Sequence, residues 1–470
     1  MNKLRIAVVF GGVSSEHEVS CMSVANVVSW MDPDKYEIIL LGITRHGRWL
    51  KADSLEDITS GAWHNSRIKA VISPDATDKC VILMDGDTVQ KYPVDCVFPV
   101  LHGIGGEDGT IQGLCELAGI PYVGCGVLSS AVTIDKIYTK IIVDGLGIRQ
   151  AQYETVMAAD LEKKLDAYVE TIEKKFPYPV FIKPSCGGSS CGVSRADDRT
   201  SLIEGLRLAA SYDRKILVEE MICGREIECA VLGSAGNAVA TNVGEILAAA
   251  DFYDYDSKYN NPVSQTVIGP ELPGDAVETI RKHAVEIFRA VDGYGLSRVD
   301  FFVKDDGEVV FNEINTIPGF TGISMYPMLC DAAGCGKEKL VDRLIELAMD
   351  RFNDAPKKGG SEADTDGEDA EETQAAKNPK PGKGVQKAAS AELVIETNGE
   401  SRTVIPLSSD RAKKTIKYET EYGIIDMDAV TDTLTVEEDG NTVTARAEYS
   451  LYMGDEKTSG CKLTLTYHRN

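Results

Sequence analysis

The chain has 470 residues, of which 43% are hydrophobic, and a formal net charge of −25. At ~150 residues per domain the length suits about three domains. The acidic balance argues against nucleic acid or an anionic membrane as a general partner, so a small anionic substrate would have to be met by local basic residues.

The opening "MNKLRIAVVFGG" holds an apolar run too short for a signal sequence, and its glycines read as a strand-to-loop turn. No run approaches the ~18 apolar residues of a membrane span. The 12 cysteines are scattered, with no CxxC pair and no histidines at metal spacing. They fit the reduced thiols of a cytoplasmic protein, several in core positions such as Cys96 and Cys229.

In chain order, "LRIAVVF" predicts a buried strand that runs into the loop "GGVSSEHEVS". An amphipathic helix follows over "VSCMSVANVVSWM". "YEIILLGIT" and "DCVFPVLHG" predict further strands with helical stretches between them. Residues 1–127 are therefore expected to form an α/β domain with a parallel sheet. The pattern changes over 128–353. Helices in "IDKIYTKIIVDGLG" and "LEKKLDAYVETIEKKF" precede strand pairs in "PVFIKPS…CGVSRA", "ILVEEMICGREIECAVLG" and "RVDFFVKDDGEVVFNEINTIPG". Such grouping predicts α+β modules, closed by a helix over "EKLVDRLIELAMDRF". Residues 354–390 lack aromatics and almost lack large aliphatics, which predicts a disordered acidic linker. Residues 391–470 alternate polar and apolar residues between turns such as "EDGN" and predict an antiparallel β tail.

The run 298–319 carries charge inside apolar strands. Asp306-Gly307 predicts a two-residue type I′ turn. That turn would set Asp305 against Glu308, Phe302 against Phe311 and Asp300 against Glu313. Because side chains alternate, Arg298, Asp300, Glu313 and Asn315 would cluster at one end of the hairpin. Two carboxylates placed opposite each other repel, and a divalent cation would relieve them. Oxygen donors without His or Cys suit Mg²⁺, which takes one or two carboxylates plus substrate phosphates. Neutralisation by Arg298 alone is the competing reading.

Phosphate-handling candidates are individually weaker. "FIKPSCGGSSCGVS" predicts strand, Gly-Ser loop, strand, and its backbone N–H groups could cover phosphate oxygens. No GxxxxGK[ST] motif occurs. Lys136 and Lys183 could each meet a phosphate, or be surface lysines. Glu219 and Glu226 could bind a ribose hydroxyl, or be surface carboxylates. Glu16 sits at a strand-loop-helix junction, where it could hold an ammonium group or cap the helix. His102 in "VLHGIGGEDG" reads more readily as structural. "FYDYDSKYNNP" predicts a polar-aromatic loop able to act as a lid.

Taken in order over residues 3–350, these segments resemble the D-alanine–D-alanine ligase family, whose fold is an ATP-grasp. The resemblance rests on "GGVSSEHEVS", "LHGIGGEDGTIQGLCELAGIPYVG", "DK", "IKPSCGGSSCGVS", "VEEMICGREIE", "YDYDSKY", "SRVDFF" and "NEINTIPGFTGIS". It implies ATP-dependent joining of two D-alanines through an acyl phosphate, for peptidoglycan precursors, by a protein that is commonly a homodimer. On these positions Glu16, beside Val19, would take the first substrate's ammonium group and form a hydrogen-bonded group with Ser189 and Tyr259. His102 would line the first-substrate site. Lys136, Lys183, Ser189, Ser190, Glu219, Glu220, Ile222 and Glu226 would hold the nucleotide. Phe252 would lie against adenine and Lys258 would reach the γ-phosphate. Arg298 would stabilise the tetrahedral intermediate, and Gly319 and Ser324 would position the second substrate. Asp300, Glu313 and Asn315 would hold two Mg²⁺ ions, with Mn²⁺ as an alternative.

Two departures stand out: Cys186 follows "KPS" where relatives often have Arg or Asn, and the tail is foreign to the usual ligase. The last part of the tail is similar to the C-terminal half of small, uncharacterised lipocalin-like bacterial β-barrels, so it is expected to need another chain or the ligase body to cover its edges. A D-Ala–D-Ser or D-Ala–D-lactate ligase is the nearest alternative. Lactate-forming relatives tend to lack the Lys258-Tyr259 pair, and serine-forming relatives tend to carry arginine where this chain has Met325. A non-catalytic nucleotide-binding protein would show loss of Arg298 or a metal ligand, and all of these are present.

Overall fold

In a computed structural model of the chain, residues 3–247 and 265–354 are described, together with the backbone of strands between 385 and 468. The chain divides into two units, Met1–Ser361 and Glu362–Asn470.

The first unit opens with β1 (Leu4–Gly11), α1 (His17–Ser29), β2 (Tyr36–Ile43), β3 (Trp49–Ala52), α2 (Leu55–Ser60), β4 (Lys69–Ile72), β5 (Cys80–Asp85), β6 (Thr88–Pro93), β7 (Cys96–Val100) and α3 (Thr110–Ala118). One sheet takes them in the order β6-β5-β4-β3-β2-β1-β7. The parallel sheet is present, with β1 between β2 and β7. It is extended by an antiparallel meander, β3 to β6, on the far side of β2. The reason is local. β1 is buried on both faces from Ile6 onward, as a central parallel strand must be. Between Ile43 and Cys96 only the short α2 and a single 3-10 turn, Ala62–Asn65, break the strands, so tight connections favour antiparallel neighbours. The edge strand β6 is polar and mostly exposed.

The middle of the unit follows as α4 (Val127–Ile134), α5 (Lys136–Leu146), β8 (Tyr153–Met157), α6 (Leu161–Lys175), β9 (Val180–Pro184), β10 (Ser194–Ala196), α7 (Arg199–Ala210) and β11 (Lys215–Glu220). Its strands form an antiparallel sheet ordered β10-β9-β11-β8. The last part contains β12 (Arg225–Gly233), β13 (Val239–Leu247), β14 (Gln265–Ile268), α8 (Ala276–Ala290), β15 (Gly295–Val303), β16 (Val309–Asn315), α9 (Met325–Ala332) and α10 (Lys337–Asp354). Its sheet runs β14-β13-β12-β15-β16.

One expected strand pair is corrected here. β11 and β12, read as partners in "ILVEEMICGREIECAVLG", belong to different sheets. The connector between them crosses from one sheet to the other instead of turning back. At its end Gly224 lies so close to Val303 that a Cβ would stand 2.9 Å from that residue's carbonyl oxygen. Two antiparallel sheets joined this way leave a cleft between them.

A single core links the two ends of the unit. Phe10, Val24 and Val27 share a cluster with Phe320, Tyr326, Leu329, Leu340 and Leu344. Burial of each such side chain stabilises by about 1.5–3 kcal/mol, so the N-terminal layer is fixed against α9 and α10. No helix among the described residues is long and apolar enough to cross a membrane. The described cysteines are free thiols, with Cys96 and Cys229 buried.

Of the expected linker, residues 355–384 lie outside the described residues. The second unit contains β17 (Val385–Gln386), β18 (Ser390–Thr397), β19 (Ser401–Ser408), β20 (Lys414–Thr420), β21 (Gly423–Asp439), β22 (Thr442–Met453) and β23 (Glu456–His468). It is antiparallel, as its alternation predicts: β17-β21-β22-β23 with β20 also on β21, and a separate hairpin of β18 and β19. β17 and the start of β18 fall at the end of the run read as a linker.

Candidate active site

The hairpin of β15 and β16 brings its polar residues together by a different route from the predicted one. Lys304 N donates to Glu308 O at 3.0 Å and Gly307 N to Lys304 O at 2.9 Å, so the loop is Asp305-Asp306-Gly307. Only Gly307 takes positive φ, at 87°, whereas a type I′ turn needs two such residues. The longer loop sets Phe302 against Val310 and Phe301 against Phe311. A bulge then takes up Asn312, and beyond it Asp300 faces Glu313 and Arg298 faces Asn315. The loop and the bulge each shift the register by one residue, and the shifts cancel.

Each carboxylate there has a cation. Arg298 Nε and Nη2 donate to Asp300 Oδ1 and Oδ2 at 2.8 and 2.7 Å. Asn315 Nδ2 donates to Asp300 Oδ2 at 3.0 Å. Lys136 Nζ lies 3.1 Å from Glu313 Oε2. Burial opposes the charge on Arg298, but Asp300 and Glu228 outweigh it and hold the guanidinium pKa well above its ordinary value. Glu228 is the third carboxylate of the group, 3.1 Å from Arg298 Nε.

Among the described residues no cluster of three His, Cys, Asp or Glu side chains forms a closed metal cage. Asp300, Glu313 and Asn315 offer two carboxylates and an amide, all oxygen donors. That set fits a hard cation that keeps waters and shares a substrate's phosphates, as Mg²⁺ does, and does not fit zinc.

A cavity of about 950 Å³ opens over this hairpin end and runs between the two antiparallel sheets to the N-terminal layer. It is lined by Glu16, Val19, His102, Lys136, Lys183, Ser189, Ser190, Glu219, Glu220, Ile222, Glu226, Arg298, Glu313, Asn315, Gly319 and Ser324, all picked out in the sequence. Asp300 stands just behind, beneath Arg298 and Asn315. Phe252, Lys258 and Tyr259 lie outside the described residues.

The cationic wall is built from helix and strand. Asp135 caps α5, accepting from Ile137 N at 3.2 Å, and bonds Lys215 and Ser185 Oγ. Lys136 N donates to Ser185 O at 3.0 Å, so the start of α5 is tied to the end of β9, which carries Lys183. Glu219 is not a free ribose ligand: Lys183 Nζ is 2.7 Å from Oε2 and Lys140 Nζ 2.6 Å from Oε1. Burial raises the Glu219 pKa, but the two lysines outweigh it and take the carboxyl down to about 2. Lys140, fully buried, was not singled out in the sequence. Its signal is the four-residue spacing from Lys136, which puts both on one face of α5. The Glu220 carboxylate is occupied by Arg149 at 2.8 Å and by Gln152 N.

The Gly-Ser loop after β9 folds down onto the N-terminal layer. Ser189 and Ser190 both have positive φ, 48° and 57°, a strained arrangement that persists only where neighbours hold it. Ser189 Oγ donates to Glu16 Oε1 at 2.5 Å, and Lys136 Nζ to Gly187 O at 2.8 Å. A Cβ on Gly188 would lie 2.3 Å from Glu16 Oε2, so any side chain there would have to displace the Glu16 carboxylate. Cys186 does not disturb the loop. Its N–H donates to Asp213 at 2.6 Å, and burial with Asp135 and Asp213 pushes its thiol up to about 12, so it is a neutral group there.

His102 ties the two ends of the site together. Its Nδ1 is 2.9 Å from Ile317 O and so carries the proton, leaving Nε2 to accept from Ser23 Oγ at 3.1 Å. Burial lowers its pKa, so the ring is neutral. Glu107, also missed in the sequence, accepts from Thr316 N and Ile317 N at 3.1 and 3.0 Å and from Gly103 N at 3.0 Å. Burial and the nearby Glu16 push its carboxyl up to about 7. Beyond this segment, Ser324 precedes α9 and accepts from Thr321 N at 2.9 Å. A Cβ on Gly319 would be 2.7 Å from Ser324 Oγ. Met325 is buried and packs on Gly244.

Two antiparallel sheets closing on a cavity, lysines on one wall and oxygen donors on the other, define an ATP-grasp ligase architecture. The chain belongs to the D-alanine–D-alanine ligase family: residues 5–125 match the D-ala D-ala ligase N-terminus and residues 142–346 the D-ala D-ala ligase C-terminus. Residues 371–465 match a domain of unknown function, DUF1934, reaching further upstream than the residues that carry the β-barrel resemblance. The D-alanine–D-alanine ligase of Ruminiclostridium cellulolyticum is 50% identical over 369 residues, 75% of this chain and 97% of that one. That of Acetivibrio thermocellus is 48% identical over 368 residues, 75% and 98%. Among solved structures, the VanG D-Ala:D-Ser ligase from Enterococcus faecalis is 37% identical, with TM-score 0.66, covering 74% of this chain and all of its own.

Proposed function

We propose that the chain joins two D-alanines into D-alanyl-D-alanine with conversion of ATP to ADP and phosphate. The observation that carries this reading is one cavity holding three things: Glu16 with Ser189, the Lys136–Lys183–Glu219 wall, and the Arg298 hairpin end. Glu16 takes the first substrate's ammonium group. Lys136, Lys183 and the loop from Gly187 to Cys191 receive the nucleotide's phosphates, with Glu226 and Ile222 at its ribose and adenine end. When bound, Mg²⁺ ions on Asp300, Glu313 and Asn315 orient and neutralise those phosphates, and Mn²⁺ suits the same oxygens.

The first D-alanine's carboxylate oxygen attacks the γ-phosphorus, ADP departs, and an acyl phosphate remains. The second D-alanine's amine, having given up its ammonium proton, attacks the acyl carbon, and the proton the nitrogen then sheds leaves with the departing phosphate. Arg298 then faces the oxygen that becomes negative, an oxyanion-hole role, until phosphate leaves. Gly319 and Ser324, at the start of α9, receive the second substrate's carboxylate, where the helix N-terminus favours an anion. Contact between the Gly-Ser loop and Glu16 keeps water from the acyl phosphate.

The likeness to a D-Ala:D-Ser ligase supports a second reading, with D-serine as the second substrate. Met325 weighs against it, because an apolar side chain at that end leaves a serine hydroxyl unpaired. An ADP-release assay with D-alanine, D-serine or D-lactate as the second substrate separates these. Release is expected to be fastest with D-alanine. Faster release with D-serine would replace the reading, and no release with any would overturn it.

A further inference from the structure

Three neighbouring strands carry acidic side chains onto one row. Glu228 on β12 is the cross-strand partner of Asp300 on β15, and Asp300 is the partner of Glu313 on β16. Their side chains are 13%, 10% and 25% exposed. Like charges side by side on a sheet oppose folding, so each needs a local answer. Lys136 answers Glu313 at 3.1 Å. Arg298 answers both others, through two bonds to Asp300 and through Nε, 3.1 Å from Glu228 Oε2.

We propose that Glu228 is a positioning residue for Arg298, holding the guanidinium in place when Asp300 turns its oxygens toward a cation. The inference rests on the roles given above to Arg298 and Asp300. Asp300 spends both oxygens on Arg298, and a cation drawn to Asp300 competes for them. The same cation repels the guanidinium. A second carboxylate on the neighbouring strand, not one of the three groups assigned to the cation, answers both effects: it stays within ion-pair reach of Nε, at 3.1 Å, and supplies the missing negative charge. Glu228 is suited to this because its backbone is fixed from two sides, paired with Gly244 on β13 and Asp300 on β15. Glu226 precedes it by two residues on the same face of β12 and lines the same cavity.

The test uses Glu228→Ala and Glu228→Gln in the full chain. Binding of Mg²⁺–ATP without D-alanine, read by calorimetry, is expected to stay within about two-fold of the parent. Melting of the ligand-free protein should hardly move, because Asp300 still anchors Arg298 there. The kcat at saturating substrates should fall by about 10- to 100-fold, the usual range for loss of a supporting partner. Glu228→Gln should be milder, since its amide oxygen can accept from Nε once Asp300 turns away, although the charge is lost. A kcat within two-fold of the parent in Glu228→Ala overturns the proposal. A fall in Mg²⁺–ATP affinity that matches the fall in kcat also overturns it, making Glu228 part of the nucleotide site itself. Arg298→Ala run alongside separates the layers. If it turns over normally, the role of Arg298 fails; if it is slow while Glu228→Ala is not, only the present inference fails.

Discussion

The Lys140–Glu219–Lys183 row shows why single lysines and glutamates are hard to read from sequence. Glu219 sits between two cations in the core, so the three carry one net positive charge and Lys183 is not neutralised by a private partner. Removing one member of a buried pair costs about 3–5 kcal/mol. Lys140→Met leaves Glu219 with Lys183 alone, and a loss near the lower end, about 3 kcal/mol, is expected from urea unfolding. It should also raise the KM for ATP, as Lys183 is drawn fully onto Glu219. Glu107 makes a pH prediction. Its folded pKa, about 7, lies above the ordinary 4.5. Between those values the native state binds more protons than the unfolded one, so the group's stabilising contribution is complete below about pH 4.5 and is lost as pH rises through 7. Urea midpoints of the parent should therefore fall more steeply over that window than those of Glu107→Gln, whose side chain does not titrate.

The β15–β16 hairpin shows what pattern reasoning reaches and where it stops. Alternation in "RVDFF" and "VVFNEIN" puts Arg298 with Asp300 and Glu313 with Asn315 within each strand, but their meeting across the hairpin was reached through a turn that is not the one present, with the bulge restoring the register. The loop type was not legible, since Asp-Gly serves a two-residue turn and a longer loop equally well. Nor was the bulge at Asn312, which depends on packing against neighbouring strands. β11 and β12 were legible as strands, but their separation into two sheets is set by tertiary contacts at Gly224 and Val303. Glu228 was missed for the same reason: it matters only once β12 lies beside β15. Asp300→Ala and Glu313→Ala should each abolish turnover in the ADP-release assay while leaving circular dichroism unchanged. Near-normal rates in both would refute their assignment to a cation.

At the scale of the whole chain, every described residue of the cavity lies between Glu16 and Met325, inside the first unit, Met1–Ser361. A chain ended after Ser361 should therefore keep kcat and KM within about two-fold of the full-length protein in the same assay. A larger loss would show that the β tail contributes to catalysis. The composition change near residue 354 is read as a linker because a segment without aromatic or large aliphatic residues cannot form a core. The mixed character of the first sheet was less visible, because the strands from Trp49 to Pro93 are short and their pairing follows from connection length.

The core shared by β1, α1, α9 and α10 has a consequence for how the protein is made. Phe10 and Val24 leave the ribosome early, yet the side chains that cover them, Tyr326 to Leu344, come some 300 residues later. At about 5–20 residues per second that interval is about 15–60 s. During it, an apolar face of the first layer has no native cover. The nascent chain is most exposed to chaperones, proteases and self-association in that interval, and the danger ends when α10 emerges, while most of the β tail has yet to be synthesised.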